Sequence, residues 1–235
     1  MTSVFKLHDT VLKVSCEAKV LMPEMPVITS ESILLSELVL CILSSQEKYE
    51  VALSVMKSLR KGNVLRIPAS ETDFNEIKAQ IINILEEPVS YKFNNKEYSR
   101  RLRFFVKKGK NIIDTFKNIY LNNLTINEIL NQNVSKQETR RNIISYSCGL
   151  GPKQASMFLR NIGYYSEFAV LDKHVIDYMR LIGLTRISQN SFSNMSSYQI
   201  IENKLKSYAD TYNVNLLHLD LAIWTTMRTI KNQNK

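Results

Sequence analysis

Turn-forming residues are scarce in this 235-residue chain, which has six glycines and five prolines. Long loops are therefore few, and most segments must run as continuous secondary structure. Cysteine is scarcer still. Cys16, Cys41 and Cys148 are odd in number and far apart, which argues against a disulfide framework and offers no zinc or iron–sulfur spacing. No stretch reaches the ~18 apolar residues of a membrane span, and the N-terminus lacks an apolar run with a cleavage site. A soluble, cytoplasmic protein in reducing surroundings is expected, associated with the nucleoid if the source is prokaryotic.

Acidic residues are also in deficit. Lys and Arg number 31 against 22 Asp and Glu, a formal charge of +9 with a pI near 9.4. That balance suits a polyanionic partner, although charge alone does not identify one. Hydrophobic content is 44% and charged content 23%, ordinary for a globular chain long enough to bury a core.

Helical periodicity fills the space left by the missing turns. In "ITSESILLSELVLCILSSQ" an apolar stripe of Ile33, Leu34, Leu38, Cys41 and Ile42 follows Ser and Thr cap candidates. A second helix is expected from Tyr49 to Leu59. Between Pro68 and Pro88 lies a third, with Phe74, Ile77, Ile81, Ile82 and Leu85. Capping boxes at Thr125–Glu128 and Ser135–Glu138 open two more. Residues 186–197 are Ser/Asn-rich and read as a loop, with helices over roughly 198–211 and 215–230 closing the chain. The first 20 or so residues, with "TVLKVSC", fit a strand or a helix equally. The fold class is all-α, with at most a minor N-terminal strand.

One stretch carries chemistry. In "GLGPKQASMFLRNIG" Gly149 and Gly151 make a tight turn, and Pro152 suits the first helical position. Ala155, Phe158, Leu159 and Ile162 recur at helical spacing, and Gly163 suits the stop. Helix, Gly-x-Gly turn and helix form a helix–hairpin–helix, whose glycines let backbone N–H groups approach a phosphate without reading sequence. Lys153 then sits in a first turn, where the macrodipole favours anions. An amine that sheds its proton there is a nucleophile able to attack a sugar carbon and form a Schiff base. Asp172, 19 residues on, can cap the next helix and stabilise positive charge on that sugar. Each feature has a plainer explanation: a helix corner, a solvated lysine on a phosphate, an ordinary N-cap.

"GLGPKQASMFLRNIG" followed by "AVLDKHVIDYMRLIG" resembles the signature of the base-excision DNA glycosylase superfamily. In detail it is similar to the compact class of 8-oxoguanine DNA glycosylases, which lack an N-terminal β-domain. "ELVLCILSSQ" and "LDLAIWTTMRT" resemble that class's helix ending near the DNA gap and its terminal Trp-bearing helix. The resemblance implies a bifunctional glycosylase/AP lyase acting as a monomer on double-stranded DNA that contains an oxidised base, with no membrane partner. Lys153 would be the nucleophile and Asp172 the electrostatic stabiliser. Gly149, Gly151 and His174 would contact phosphates, and Gln46 would probe the space the base vacates. Trp224, Phe93 and the terminal Lys235 would bind the base. No metal or organic cofactor is implied, while a monovalent cation at the hairpin carbonyls is admitted.

The implied architecture is two helical subdomains around a DNA-binding cleft, one of residues 45–180 with the hairpin at 135–163. The other combines 1–44 with 181–235. Two departures stand out: Met157 replaces a frequent His, and the tail runs slightly past the family's terminal lysine. An oxidised-pyrimidine glycosylase/lyase of the same superfamily, or a non-catalytic helix–hairpin–helix DNA-binding protein, stay open as alternatives. In "SRRLRFFVKK" the basic and aromatic residues suit either the DNA backbone or a solvated helix face with Phe104 and Phe105 buried.

Overall fold

The computed structural model describes residues 2–21, 26–187 and 194–233. In chain order these form α1 (Thr2–Leu21), α2 (Glu31–Ser44), α3 (Tyr49–Lys61) and α4 (Glu71–Glu86). Strands β1 (Val89–Phe93) and β2 (Lys96–Arg100) follow. Next come α5 (Phe105–Phe116), which continues as a π-helical turn over Lys117–Leu121, then α6 (Ile126–Leu130) and α7 (Lys136–Tyr146). The chain closes with α8 (Pro152–Asn161), α9 (Lys173–Leu181), α10 (Met195–Thr211) and α11 (Leu216–Gln233). The all-α class holds. The strand pair, however, lies at 89–100 and not at the N-terminus, which is helical.

Two compact units result, Ile28–Leu150 and Met1–Val27 with Gly151–Lys235. The divisions fall at 27/28 and 150/151, beside the approximate 44/45 and 180/181 of the sequence, so that α2, α8 and α9 group differently. α2 is buried nearly all round, with Leu35, Val39, Leu40 and Leu43 joining the expected stripe, although Ile33 is exposed. It packs against α3, α5 and α6, so it belongs with residues 28–150. α9 packs on α11 and so falls in the other unit.

Within Ile28–Leu150, Glu31 in the first turn of α2 reaches the start of α6. Its carboxylate accepts from Ile126 N (2.7 Å), Asn127 N (3.1 Å) and the Tyr120 hydroxyl (2.8 Å). Thr125 and Glu128 complete the capping box on the same helix, and Ser135 caps α7. The hairpin β1–β2 turns through Asn94 and Asn95, both left-handed at φ 48° and 60°, a two-residue connection that Asn tolerates. In the other unit Val11 of α1 joins a core built from α9, α10 and α11.

The turn after α7 is stapled to α5. Thr115 Oγ1 accepts from Cys148 N (2.9 Å), and Asn118 Nδ2 donates to Tyr146 O (3.3 Å). Gly149 follows at φ 80°, and a Cβ there would lie 2.0 Å from Asn111 Nδ2. Both the backbone and the neighbour therefore demand glycine. Gly149→Ala should lose ~1–2 kcal/mol to the left-handed backbone alone and more to the displaced Asn111. Adding Asn111→Ala should recover only the second part in urea unfolding. A Gly149→Ala protein as stable as the parent would refute this turn.

Candidate functional site

Lys153 is the second residue of α8. Gly151 caps the helix in extended backbone and Pro152 occupies its first position, so the local signals act as the sequence suggests. Neither strain nor packing requires glycine at 151: a Cβ would meet only Gln154 Oε1, at 3.8 Å. Its absence leaves the helix N-terminus open to approach. The inner face of α8 buries Ala155, Phe158 and Leu159, and Gly163 ends the turn beyond it at φ 73°. Lys153 is half-buried and makes no ion pair with a described residue. Lys173, in the first turn of α9, instead pairs with Asp177 at 3.1 Å.

Asp172 caps α9, its Oδ1 accepting from Val175 N at 2.9 Å. The three residues before it are pinned by buried polar groups that the sequence reading missed. Ala169 N donates to Glu202 Oε1 (3.0 Å), and the Tyr198 hydroxyl donates to Ala169 O (2.7 Å) while accepting from Leu171 N (3.0 Å). Val170 N donates to Asp220 Oδ2 at 2.6 Å. The same oxygen accepts from Arg160 Nη1 at 2.6 Å, and Arg160 lies two turns along α8 from Lys153. One buried carboxylate on α11 thus ties the Lys153 helix to the segment that presents Asp172. A sequence signal existed, since Asp220 interrupts the apolar run "LHLDLAIW" as a charge with no local partner.

His174 is the second residue of α9. Its Nδ1 is buried with no hydrogen bond to a described residue, and burial lowers its pKa against the pull of Asp172. Lys231 and Arg228 of α11 also lower it. Trp224 is half-buried on α11, with the Arg228 guanidinium 4.7 Å over its ring. Lys231 Nζ reaches Asp177 at 2.6 Å, so the second half of α11 runs beside α9. Lys153, Asp172, His174 and Trp224 all belong to one unit. Lys235 lies outside the described residues.

Gln46, Phe93 and Gly149 belong to Ile28–Leu150. Gln46 is exposed just past α2, left-handed at φ 52°. Phe93 ends β1, and Lys48 Nζ sits 4.6 Å over its ring, so the strand pair stands beside the α2–α3 turn. Lys48, two residues past Gln46, and the packing of β1 on α3 set Phe93 near that turn. Phe104 is 59% exposed and Phe105 half-buried, so the alternative in which both are buried does not hold.

Among the acids of this region, Asp220 gives the clearest pH signature. Burial pushes its pKa from 3.8 up to about 6, against the Arg160 charge and the Val170 N–H. A carboxyl whose pKa is raised on folding contributes stability that is complete below the unfolded value and lost as pH rises through the folded one. Urea stability relative to Asp220→Asn should therefore fall between about pH 4 and 6 and level off above. A difference independent of pH across that window would place the proton on another group.

A family model described as 8-oxoguanine DNA glycosylase matches residues 23–214. A relative named 8-oxoguanine DNA glycosylase/AP lyase, from Saccharolobus solfataricus, is 30% identical over 197 residues, 84% of this chain and 83% of the relative. The solved 8-oxoguanine glycosylase/lyase of Methanocaldococcus jannaschii, in complex with a 15mer DNA containing 8-oxoguanine, aligns with a TM-score of 0.63 at 21% identity. That alignment covers 95% of this chain and 96% of the other. The 8-oxoguanine DNA glycosylase of Thermotoga maritima gives 0.61 at 22%, covering 95% and 88%. At these identities the two structures bear on the fold. The family match takes in residues of both units, from ahead of α2 to past α10, and by it the chain belongs to the 8-oxoguanine DNA glycosylase family.

Proposed function

We propose that this protein is a bifunctional DNA glycosylase/AP lyase of base-excision repair that removes 8-oxoguanine from duplex DNA. The observation that carries the reading is the clasp by which Asp220 ties α8, whose start carries Lys153 with no ion pair to a described residue, to the segment that presents the Asp172 carboxylate. A DNA-binding module needs the hairpin but has no use for that arrangement.

Lys153 Nζ attacks C1′ of the extruded nucleotide, and the bond from C1′ to the base breaks with its electron pair leaving on the base. The Asp172 carboxylate stabilises the positive charge that builds on the sugar. Loss of the amine proton and opening of the sugar ring give a C1′ Schiff base. That species acidifies the C2′ proton, and its removal expels the 3′ phosphate. Neither step calls for a metal or organic cofactor, and a monovalent cation at the hairpin carbonyls would only hold the turn.

Gly149, Gly151 and His174 would engage phosphates. Gln46 would fill the vacated space, with Trp224 and Phe93 offering faces to the flipped base. An 8-oxoguanine pocket must accept from N7–H, which leaves facing acceptors when normal guanine enters, a loss of ~1–3 kcal/mol. The basic balance suits DNA, and among the described helices none is long and apolar enough to cross a membrane. Action as a monomer in the cytoplasm is part of the proposal.

Borohydride should trap the protein on 8-oxoguanine duplexes, and Lys153→Gln should abolish trapping while keeping duplex affinity. Asp172→Asn should slow excision ~10²–10³-fold with little loss of stability. Trp224→Ala should impair 8-oxoguanine excision more than cleavage at a preformed abasic site, which has no base to stack. Trapping by Lys153→Gln would move the nucleophile elsewhere, and preference for an oxidised pyrimidine would overturn the base assignment.

A further inference from the structure

Three helices of the unit that holds Lys153 meet at a hydrogen-bonded cluster that the glycosylase chemistry does not touch. His8 of α1 lies half-buried against Tyr208 of α10, whose hydroxyl is 2.5 Å from the imidazole Nδ1. Tyr178 of α9 is fully buried, and its hydroxyl is 3.0 Å from that of Tyr208 and 3.4 Å from Nδ1. Tyr212, just past α10, completes the group. Its ring centroid lies 4.9 Å from that of His8 and 5.0 Å from that of Tyr208. Tyr212 is exposed, and Tyr208 lines an open cavity of about 440 Å³ with Leu184, Ile200 and Lys204.

Counting protons gives these bonds a direction. Each phenol has one hydroxyl proton, and a neutral imidazole protonated on Nε2 leaves Nδ1 as an acceptor only. Tyr208 makes the shorter approach and donates to His8, which leaves Tyr178 to donate to the Tyr208 oxygen. That oxygen thus has a base along its own O–H bond and a second phenol at its lone pair. Burial pushes both phenols above the ordinary tyrosine range, although the Tyr178 hydrogen bond draws Tyr208 part of the way back. A phenolate is therefore disfavoured, and the Tyr208 proton leaves when an electron leaves with it. Taking an electron from a phenol makes its O–H strongly acidic, so a base already in place accepts the proton in the same step.

We propose that Tyr208 is a redox-active tyrosine that gives one electron to strong one-electron oxidants, with His8 as its proton acceptor and Tyr178 as the donor to its oxygen. The oxidant gains the electron and is reduced by one unit. The Tyr208 O–H bond breaks, the proton passes to His8 Nδ1, and a neutral phenoxyl radical and an imidazolium remain. The Tyr178 hydroxyl stays hydrogen-bonded to the phenoxyl oxygen. Small oxidants reach Tyr208 through the cavity, and the neighbouring Tyr212 ring offers a second path from the surface. The activity is independent of Lys153 and of the glycosylase reading.

The test oxidises the full chain with photogenerated tris(bipyridine)ruthenium(III) and follows tyrosyl radical by its visible absorption and electron paramagnetic resonance. The parent should show a radical component that Tyr208→Phe lacks. His8→Gln keeps an acceptor for the hydroxyl but cannot take its proton. Proton transfer to a positioned base is worth ~10²–10⁴-fold, so His8→Gln should slow formation of that component about 100-fold. The parent reaction should also run more slowly in heavy water. A full radical signal from Tyr208→Phe, the parent rate from His8→Gln, or equal rates in the two solvents would each overturn the proposal and leave the cluster as a fastening for α1. Should Tyr208→Phe fail to fold, the His8→Gln rate and the solvent comparison decide the matter between them.

Discussion

A single buried carboxylate organises the unit that carries Lys153 and Asp172. Asp220 accepts from Arg160 of α8 and from the Val170 amide ahead of α9, through the same oxygen. A charge taken out of water is stable only when paired and hydrogen-bonded, and removing one partner of such a pair commonly costs ~3–5 kcal/mol. The bonds that keep Asp220 folded are therefore the bonds that set the Lys153 helix against the Asp172 segment. Tyr198 and Glu202 of α10 hold the amides on either side, so no residue between Ala169 and Leu171 is free to shift alone.

α11 concentrates this control on one strip of its surface. Asp220, Trp224, Arg228 and Lys231 recur at helical spacing and so share a face. The first is the clasp, the second offers the aromatic ring, the third lies over that ring, and the fourth pairs with Asp177 of α9. A rotation of this helix would disturb clasp, ring and His174 together. The C-terminal helix is thus a structural support of the Asp172 segment as well as a candidate wall for the base.

Ile28–Leu150 solves a different problem with similar means. Its helix ends carry charges that complement them, Glu31 at the start of α6 and Lys108 at the end of α2. In the other unit Lys153 stands in the first turn of α8, where the macrodipole disfavours a cation and the turn itself holds no acidic residue.

The local features were legible in the sequence. Pro152 at a helix start, Gly163 past a helix end, Asp172 as a cap and the Thr125–Glu128 box all act within three or four residues, and their geometry is the same in any surroundings. Gln46 and Phe93 are legible as single residues, whereas the strand pair that carries Phe93 is hidden in a stretch dense in Lys and Arg. The unit boundaries, the helix at the N-terminus and the Asp220 clasp belonged to tertiary structure. Asp220 finds its partners 50 and 60 residues away, and Glu47 finds Arg100 at 53. Caps and turns are short-range and recur as patterns, whereas a buried charge is satisfied by whichever donors the packing delivers, and sequence separation carries no record of that distance.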